Sequence, residues 1–259
     1  FWECEGVDQP HMRLPGLQDE LARRCAVRAK AEGKPLVVVL NVGSPKEIPW
    51  LADVPAVLLS YYGGECTGEA VAAALLGASP SGRLPTSWPK CLEEASSEAA
   101  KHSAEKAILA AGGTIRHGDV VYHEGLHLGY RSQMEFAFPF GFGLTYTRFE
   151  YSDLQVELAT LSSATATLEV QNVGTSAAAE VVQVYVTAPK APRALRAFAR
   201  TAVLEPQQKV KVHLHLPWRS LGGYYDEAQG AWVAPPAGEV LLEVCSSSKD
   251  VRLSEKLLL

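Results

Sequence analysis

The sequence predicts an α/β domain followed by an all-β sandwich, and two patterns support this prediction. In the first half, continuous apolar runs at residues 36–41 and 55–61 alternate with helical patterns, as in a parallel sheet with crossover helices. From about residue 151 onward, short stretches alternate between apolar and polar residues and are separated by glycine, proline and serine clusters. The change of period predicts two domains, at residues 1–147 and 148–259.

Within the first half, helical patterns at residues 17–31 and 69–76 flank the two apolar runs. The runs show no alternation, which predicts strands buried on both faces. Residues 93–111 are rich in alanine, glutamate and lysine with weak periodicity, so we expect a surface insertion there. The first half is thus predicted to be a mostly parallel sheet with flanking helices.

The second half contains four stretches with a period of two, which predict antiparallel strands of an immunoglobulin-like sandwich. These stretches are residues 164–170, 181–186, 210–216 and 239–244.

Composition excludes several classes of function. The 259 residues include 24 Lys and Arg against 29 Asp and Glu, a net charge of −5, and no basic stripe indicates a nucleic-acid partner. The longest apolar runs are far too short to span a bilayer, so no membrane partner is expected. The five cysteines form no Cys-x-x-Cys, and His123 and His127 lack a third ligand. We therefore expect neither a metal nor a cofactor.

A polar constellation opens the chain, with Glu3, Glu5 and Asp8 followed by Leu14-Pro15-Gly16. Two neighbouring carboxylates suit acid–base chemistry, but spacing alone favours the interpretation that both are solvated charges. The residues around them therefore decide between the two interpretations.

These residues begin an ordered series of motifs that runs along essentially the whole chain. The series resembles the C-terminal part of family 3 glycoside hydrolases, the family of β-glucosidases and β-xylosidases. Its members here are Glu3-Cys4-Glu5-Gly6-Val7-Asp8, Leu14-Pro15-Gly16, residues 37–45, Pro49-Trp50, Gly63-Gly64-Glu65, residues 80–85, residues 122–125, residues 129–131, residues 138–147, residues 171–174 and residues 180–185.

The resemblance implies the second and third parts of an architecture that consists of a barrel, an α/β sandwich and a fibronectin-III-like domain. It implies a retaining, exo-acting O-glycosidase whose nucleophilic Asp lies on an N-terminal barrel outside these 259 residues. The expected partners are therefore an oligosaccharide or glycoside substrate and that barrel. We expect this piece alone to be inactive, and the resemblance favours an extracellular location.

The resemblance also assigns roles to individual residues. Glu5 is expected to be the general acid/base, and Glu3 is the alternative acid or a ligand of a sugar hydroxyl. Gln9 stands where the family usually has Arg. The expected substrate-binding residues are Asp8, Glu65, Tyr122 and Glu124.

The kind of activity is less closely defined. The E-x-E-G and LPG-x-Q patterns favour β-xylosidase or α-arabinofuranosidase-like members, with β-glucosidase close behind. The alternative is a non-catalytic carbohydrate-binding or scaffold module that has lost its barrel.

Overall fold

The computed structural model describes Glu3 and residues 9–95, 125–132, 134–160 and 163–259. These residues form two compact units that interleave along the chain. The first unit contains Glu3 and residues 9–76, 88–95 and 134–137; the second contains residues 77–87, 125–132, 138–160 and 163–259. The division at residue 147 stays a prediction. Most of the predicted insertion at residues 93–111 lies outside the described residues.

The first unit has the predicted order of elements, which is helix α1 (Gln18–Glu32), strand β1 (Val38–Leu40), strand β2 (Val57–Leu59) and helix α2 (Thr67–Leu75). The two strands pair in parallel, with Val38 opposite Val57 and Leu40 opposite Leu59, as predicted. Because the strands run in the same direction, the segments that leave their carboxyl ends begin at one edge of the sheet.

Helix α1 has suitable charges and a defined end. Asp19 and Glu20 lie in the first turn and Lys30 in the last, where each charge interacts favourably with the helix dipole. Gly33 adopts a φ of 63°, and its N–H bonds the carbonyls of the last turn, which ends the helix. The buried Trp50 donates its indole N–H to Asp19 Oδ1 at 2.7 Å and thereby fixes the helix to the loop after β1.

The predicted burial of both strand faces is wrong for β1. Val39 is 38% exposed, and all three residues of β2 are only half-buried. Leu75 and Leu76, at the end of α2, are exposed as well. The reason is that only these two strands pair in the described part of the first unit, so each has a single neighbouring strand.

The second unit is a sandwich of two antiparallel sheets, which confirms the predicted fold class. One sheet has the order β3-β4-β7, the other has the order β11-β10-β5-β6, and β8-β9 is a separate hairpin. The strands are β3 (Phe149–Thr160), β4 (Ser163–Asn172), β5 (Val181–Ala188), β6 (Ala191–Arg200), β7 (Lys209–Pro217), β8 (Tyr224–Asp226), β9 (Ala231–Val233), β10 (Glu239–Ser247) and β11 (Asp250–Leu258).

One hydrophobic core lies between these two sheets. Strand β4 alternates strictly between half-buried and buried residues along its length, and Leu168 at its centre is fully buried. Its buried side chains share a cluster with those of β5, β7 and β10, including Val184, Leu216 and Leu242. These four strands are the ones that the period-two pattern predicts.

The long strands that the pattern missed, β3, β6 and β11, all lie at sheet edges. An edge position weakens the alternation in some of these strands but not in every edge strand, since β7 also lies at an edge and alternates strictly. Strand β11, for example, exposes seven of its nine residues. No helix within the described ranges is long and apolar enough to cross a membrane.

Candidate active site

The candidate site lies at the carboxyl edge of the parallel strand pair. The loop of residues 41–46 follows β1, and the segment of residues 60–66 follows β2. Ser60 joins them, since its N–H donates to the Leu40 carbonyl at 3.0 Å. Open α/β sheets bind ligands at this edge, where the loops diverge and backbone groups are available.

Glu3 lies against the loop of residues 41–46. Its Oε2 accepts the Gly43 N–H at 2.8 Å, while its Oε1 accepts from Ser44 Oγ at 2.8 Å and from Lys46 Nζ at 2.5 Å. The Glu3 side chain is 16% exposed. The described residues thus occupy three of the about four acceptor positions on the carboxylate.

These contacts keep Glu3 ionised. Burial on its own would raise the pKa of the carboxyl, but the hydrogen bonds from Lys46, Gly43 and Ser44, with the Lys46 charge, lower it from 4.5 to about 2. A general acid must still hold its proton near the working pH. The geometry therefore argues against Glu3 as the proton donor and leaves the sugar-ligand role open.

Lys46 is the centre of this polar group. Its side chain is 1% exposed, and Nζ donates to Glu3 Oε1, to Gln9 Oε1 at 2.8 Å and to Ser44 Oγ at 2.8 Å. An ammonium has three N–H donors, so all three are used. The Lys46 carbonyl accepts the indole N–H of the buried Trp88 at 2.8 Å.

Gly43 permits a close approach between the two edge segments. A Cβ at this position would lie 2.5 Å from Tyr62 Cε2 and 3.2 Å from Glu3 Oε2, so a larger residue would displace the Tyr62 ring. Tyr62 is itself mostly exposed. The site thus combines an ionised carboxylate with an accessible aromatic ring, whose apolar face suits contact with a sugar ring.

The neighbouring Tyr61 is strained. Its φ of 49° lies in the left-handed region, which is unusual for a bulky residue. Its hydroxyl is buried, has no hydrogen-bond partner among the described residues, and burial raises its pKa. Strain of this kind is concentrated at functional sites.

Residues 9–14 are fixed beside the continuation of the same loop. The Glu47 N–H donates to the Met12 carbonyl at 2.9 Å, and Met12 and Leu14 are buried. Residues 9–14 therefore run beside the loop that bears Lys46.

The predicted site residues have different outcomes. Glu5, Asp8, Tyr122 and Glu124 lie outside the described residues, so their roles stay predictions. Glu65 is exposed on the single helical turn Gly64–Cys66, at the edge where Glu3 lies. In the described part of the chain, no three His, Cys, Asp or Glu residues are grouped in a way that could hold a metal ion.

Sequence reasoning assigned no role in the site to Ser44, Lys46 or Tyr62. One signal was available, because all three follow apolar runs at the carboxyl edge of a predicted parallel sheet. The pairing of Lys46 with Glu3 was not visible, since it joins distant parts of the chain.

Known protein families match both parts of the chain. The glycosyl hydrolase family 3 C-terminal domain matches residues 2–146, and a fibronectin type III-like domain matches residues 180–248. A β-glucosidase of Rhizobium radiobacter is 39% identical over 98% of this chain and 31% of its own length. A β-glucosidase of Kluyveromyces marxianus is 36% identical over 96% of this chain and 29% of its own length.

Solved structures of β-glucosidases are also similar to this chain. β-Glucosidase 3B from Thermotoga neapolitana, in complex with glycerol, superposes with a TM-score of 0.82 at 33% identity, over 95% of this chain and 34% of that one. The Kluyveromyces marxianus β-glucosidase in complex with glucose gives a TM-score of 0.83 at 34% identity, over 100% of this chain and 30% of that one. The chain spans about a third of the length of these relatives. With more than half of its residues matched by the family's C-terminal domain, the chain belongs to glycosyl hydrolase family 3.

Proposed function

We propose that this chain is part of a retaining, exo-acting β-glucosidase and supplies the proton donor of its active site. The observation that carries the proposal is identity of 39% and 36% to two β-glucosidases over nearly the whole chain. The segment with Glu3 and Glu5 lies within residues 2–146, which the family's C-terminal domain matches. A relative of the same fold is described in complex with glucose. These similarities favour glucose as the released sugar.

The sequence patterns favoured β-xylosidase or α-arabinofuranosidase-like members instead. The relatives named above are β-glucosidases, and they give no support to that finer prediction. We therefore propose glucosides as the substrate class.

In the proposed mechanism, Glu5 protonates the leaving-group oxygen and later activates water. The nucleophilic carboxylate belongs to an N-terminal barrel, about 5–5.5 Å from the acid as retention requires. Glu3 stays ionised beside Lys46 and therefore does not compete for the catalytic proton. Its fourth acceptor position suits a sugar hydroxyl.

The test uses the natural full-length protein with aryl β-glucosides, β-xylosides and α-arabinofuranosides. We expect the glucoside to be preferred and β-glucose to be the first product by NMR. Glu5→Gln should lower turnover of cellobiose about 10²–10⁴-fold, because its leaving group needs a proton. The kcat/KM of dinitrophenyl β-glucoside should fall far less, because this constant reports the first step, in which so good a leaving group needs no proton.

Glu69→Gln, an exposed substitution on α2, serves as the matched control. Equal losses of kcat/KM on both substrates in Glu5→Gln would remove Glu5 from the role of acid. A full-length protein that binds glucosides without hydrolysing them would instead support the carbohydrate-binding module. Efficient turnover by residues 1–259 alone would refute the need for a second domain.

A further inference from the structure

We propose that the second unit contains a saccharide-binding site, in a cavity lined by the buried ion pair of Arg83 and Glu180. The cavity has a volume of about 900 Å³, which lies within the range of small-molecule pockets. Its lining includes Arg83, Phe142, Leu144, Val173, Glu180 and Lys249. The inference goes beyond the proposed function and does not depend on it, since these residues all belong to the second unit and the candidate active site lies in the first.

Backbone hydrogen bonds hold the walls of the cavity together. The Leu84 N–H donates to the Phe142 carbonyl at 2.8 Å, and the Gly141 N–H donates to the Leu84 carbonyl at 2.9 Å. A further part of the wall is fixed by the Val173 N–H, which donates to the Arg148 carbonyl at 2.9 Å. Small-molecule sites are usually formed before the ligand arrives, and these bonds need no ligand to form.

The ion pair offers both kinds of hydrogen-bonding group to the cavity. Glu180 Oε1 accepts from Arg83 Nη2 and from the Val181 N–H at 2.6 Å, and Arg83 Nη1 donates to the Gly82 carbonyl at 3.3 Å. Among the described residues, none donates to Glu180 Oε2, and none accepts from the other three N–H groups of Arg83. Because both side chains are more than nine-tenths buried, unbonded donors and acceptors on them are costly, and a ligand that bonds them is stabilised.

The charges along the cavity favour a neutral ligand. The charges of Arg83 and Glu180 offset each other, as do those of Arg252 and Asp250, whose Nη2 and Oδ2 atoms lie 2.7 Å apart. A fully charged ligand would compete with one member of the buried pair and leave the other unpaired, which is unfavourable. The other charged residues of the lining are exposed, so solvent screens them; they are Arg148, Glu150 and Lys249.

Neighbouring hydroxyl groups fit the ion pair better than an ion does. One hydroxyl can donate to the Glu180 carboxylate while the next accepts from the Arg83 guanidinium, because a hydroxyl has both capacities. Saccharides carry such neighbouring hydroxyls, and they also present apolar C–H faces. The side chains of Phe142 and Leu144 give the cavity wall an apolar part that suits contact with these faces.

The binding experiment uses the natural full-length protein with labelled methyl groups and follows it by NMR. The probes are thiocellobiose, a disaccharide whose sulfur-linked glycosidic bond resists hydrolysis, and sulfate. Thiocellobiose should shift the methyl signals of Leu144 and Val173, which line the cavity, with a dissociation constant of about 0.1–10 mM. The methyl signals of Leu168 in the core should stay in place, and sulfate should shift none of the three.

A double variant tests the ion pair itself. Arg83→Met with Glu180→Gln removes both charged groups and leaves no buried charge unpaired, so the unit should stay folded. It should bind thiocellobiose at least about tenfold more weakly, because hydrogen bonds to charged groups are lost. The matched control is Arg193→Met with Glu243→Gln, which removes another ion pair of the same unit that is not part of this lining and should leave the affinity unchanged.

A single variant serves if the double variant does not fold. Arg83→Lys keeps a positive charge beside Glu180 but lacks the planar fork of N–H donors, so it should weaken binding about threefold or more.

Several results would overturn the inference. They are the absence of methyl shifts with thiocellobiose, shifts at Leu144 and Val173 with sulfate alone, and wild-type affinity in the folded double variant or in Arg83→Lys. The experiment does not measure hydrolysis. A wild-type protein without glucosidase activity would therefore refute the proposed function and leave the test of this cavity unaffected.

Discussion

The two units of this chain are stabilised by different interactions. The second unit encloses one core between two sheets, in which Leu168, Val184 and Leu242 are fully buried. The described part of the first unit has two short strands, and it leaves Val39 and Leu75 exposed. Burial of apolar surface is therefore more extensive in the second unit than in the described part of the first.

In the first unit, directed polar contacts hold the functional edge in place. Trp50 bonds Asp19, Trp88 bonds the Lys46 carbonyl, and the Lys46 ammonium bonds Glu3. Among the described residues, these three bonds join the chain after β1 to helix α1, to Trp88 and to Glu3. The candidate active site lies in the unit that depends on these contacts.

The largest effect on stability is expected at an ion pair of the second unit. Arg83 Nη2 donates to Glu180 Oε1, and both side chains are more than nine-tenths buried. Glu180→Gln leaves the Arg83 charge unpaired and should lower the free energy of unfolding by about 3–5 kcal/mol. Urea denaturation measures the change.

Glu239→Gln is the matched control, because Glu239 pairs with Lys256 on an exposed surface. Loss of such a pair costs about 0–1 kcal/mol. Equal changes in the two variants would show that the second unit does not depend on its buried pair.

The next change in the free energy of unfolding is expected in the hydrophobic core of the second unit. Leu168→Ala removes a fully buried side chain from β4 and should cost about 2–5 kcal/mol through lost burial and the cavity that remains. Leu158→Ala makes the same chemical change at a largely exposed site on β3 and should cost far less. Equal losses in the free energy of unfolding would show that burial of apolar side chains in the core does not stabilise this unit more than exposed ones do.

A smaller loss in the free energy of unfolding is expected when the hydrogen bond between Trp50 and Asp19 in the first unit is removed. Trp50→Phe keeps an aromatic ring but removes the N–H that bonds Asp19 at 2.7 Å. A hydrogen bond to a charged group contributes about 1.5–3 kcal/mol, so we expect a loss of about 2 kcal/mol. Exchange rates of α1 amides should rise together with this loss, whereas Trp232→Phe, on the exposed β9, should leave them unchanged.

The contrast between the units also explains what the sequence could predict. Strands with a strict alternation, such as β4 and β7, were predicted, whereas β3, β6 and β11, which lie at sheet edges, were not. The parallel pairing of β1 and β2 was predicted from their apolar runs. Their exposure was not, because burial depends on neighbours that a local pattern does not specify.

The site was predicted only in part, for a related reason. Motif resemblance identified Glu3 and Glu65, since both lie inside recognisable local patterns. Lys46 was missed because its significance comes from Glu3 and Gln9, which only the fold brings to it. The ionisation state of Glu3 depends on that same long-range contact.

The most direct test of the central claim, that Lys46 organises the functional edge, is a pH titration of the Glu3 carboxyl carbon by NMR. Its pKa in the folded chain is lowered from 4.5 to about 2, so the stabilising contribution of Glu3 is complete above pH 4.5 and is lost as the pH falls toward 2. The account predicts that Glu3 remains ionised at about pH 3.5 and that Lys46→Met raises its midpoint. A wild-type midpoint near 4.5, unchanged by Lys46→Met, would contradict it.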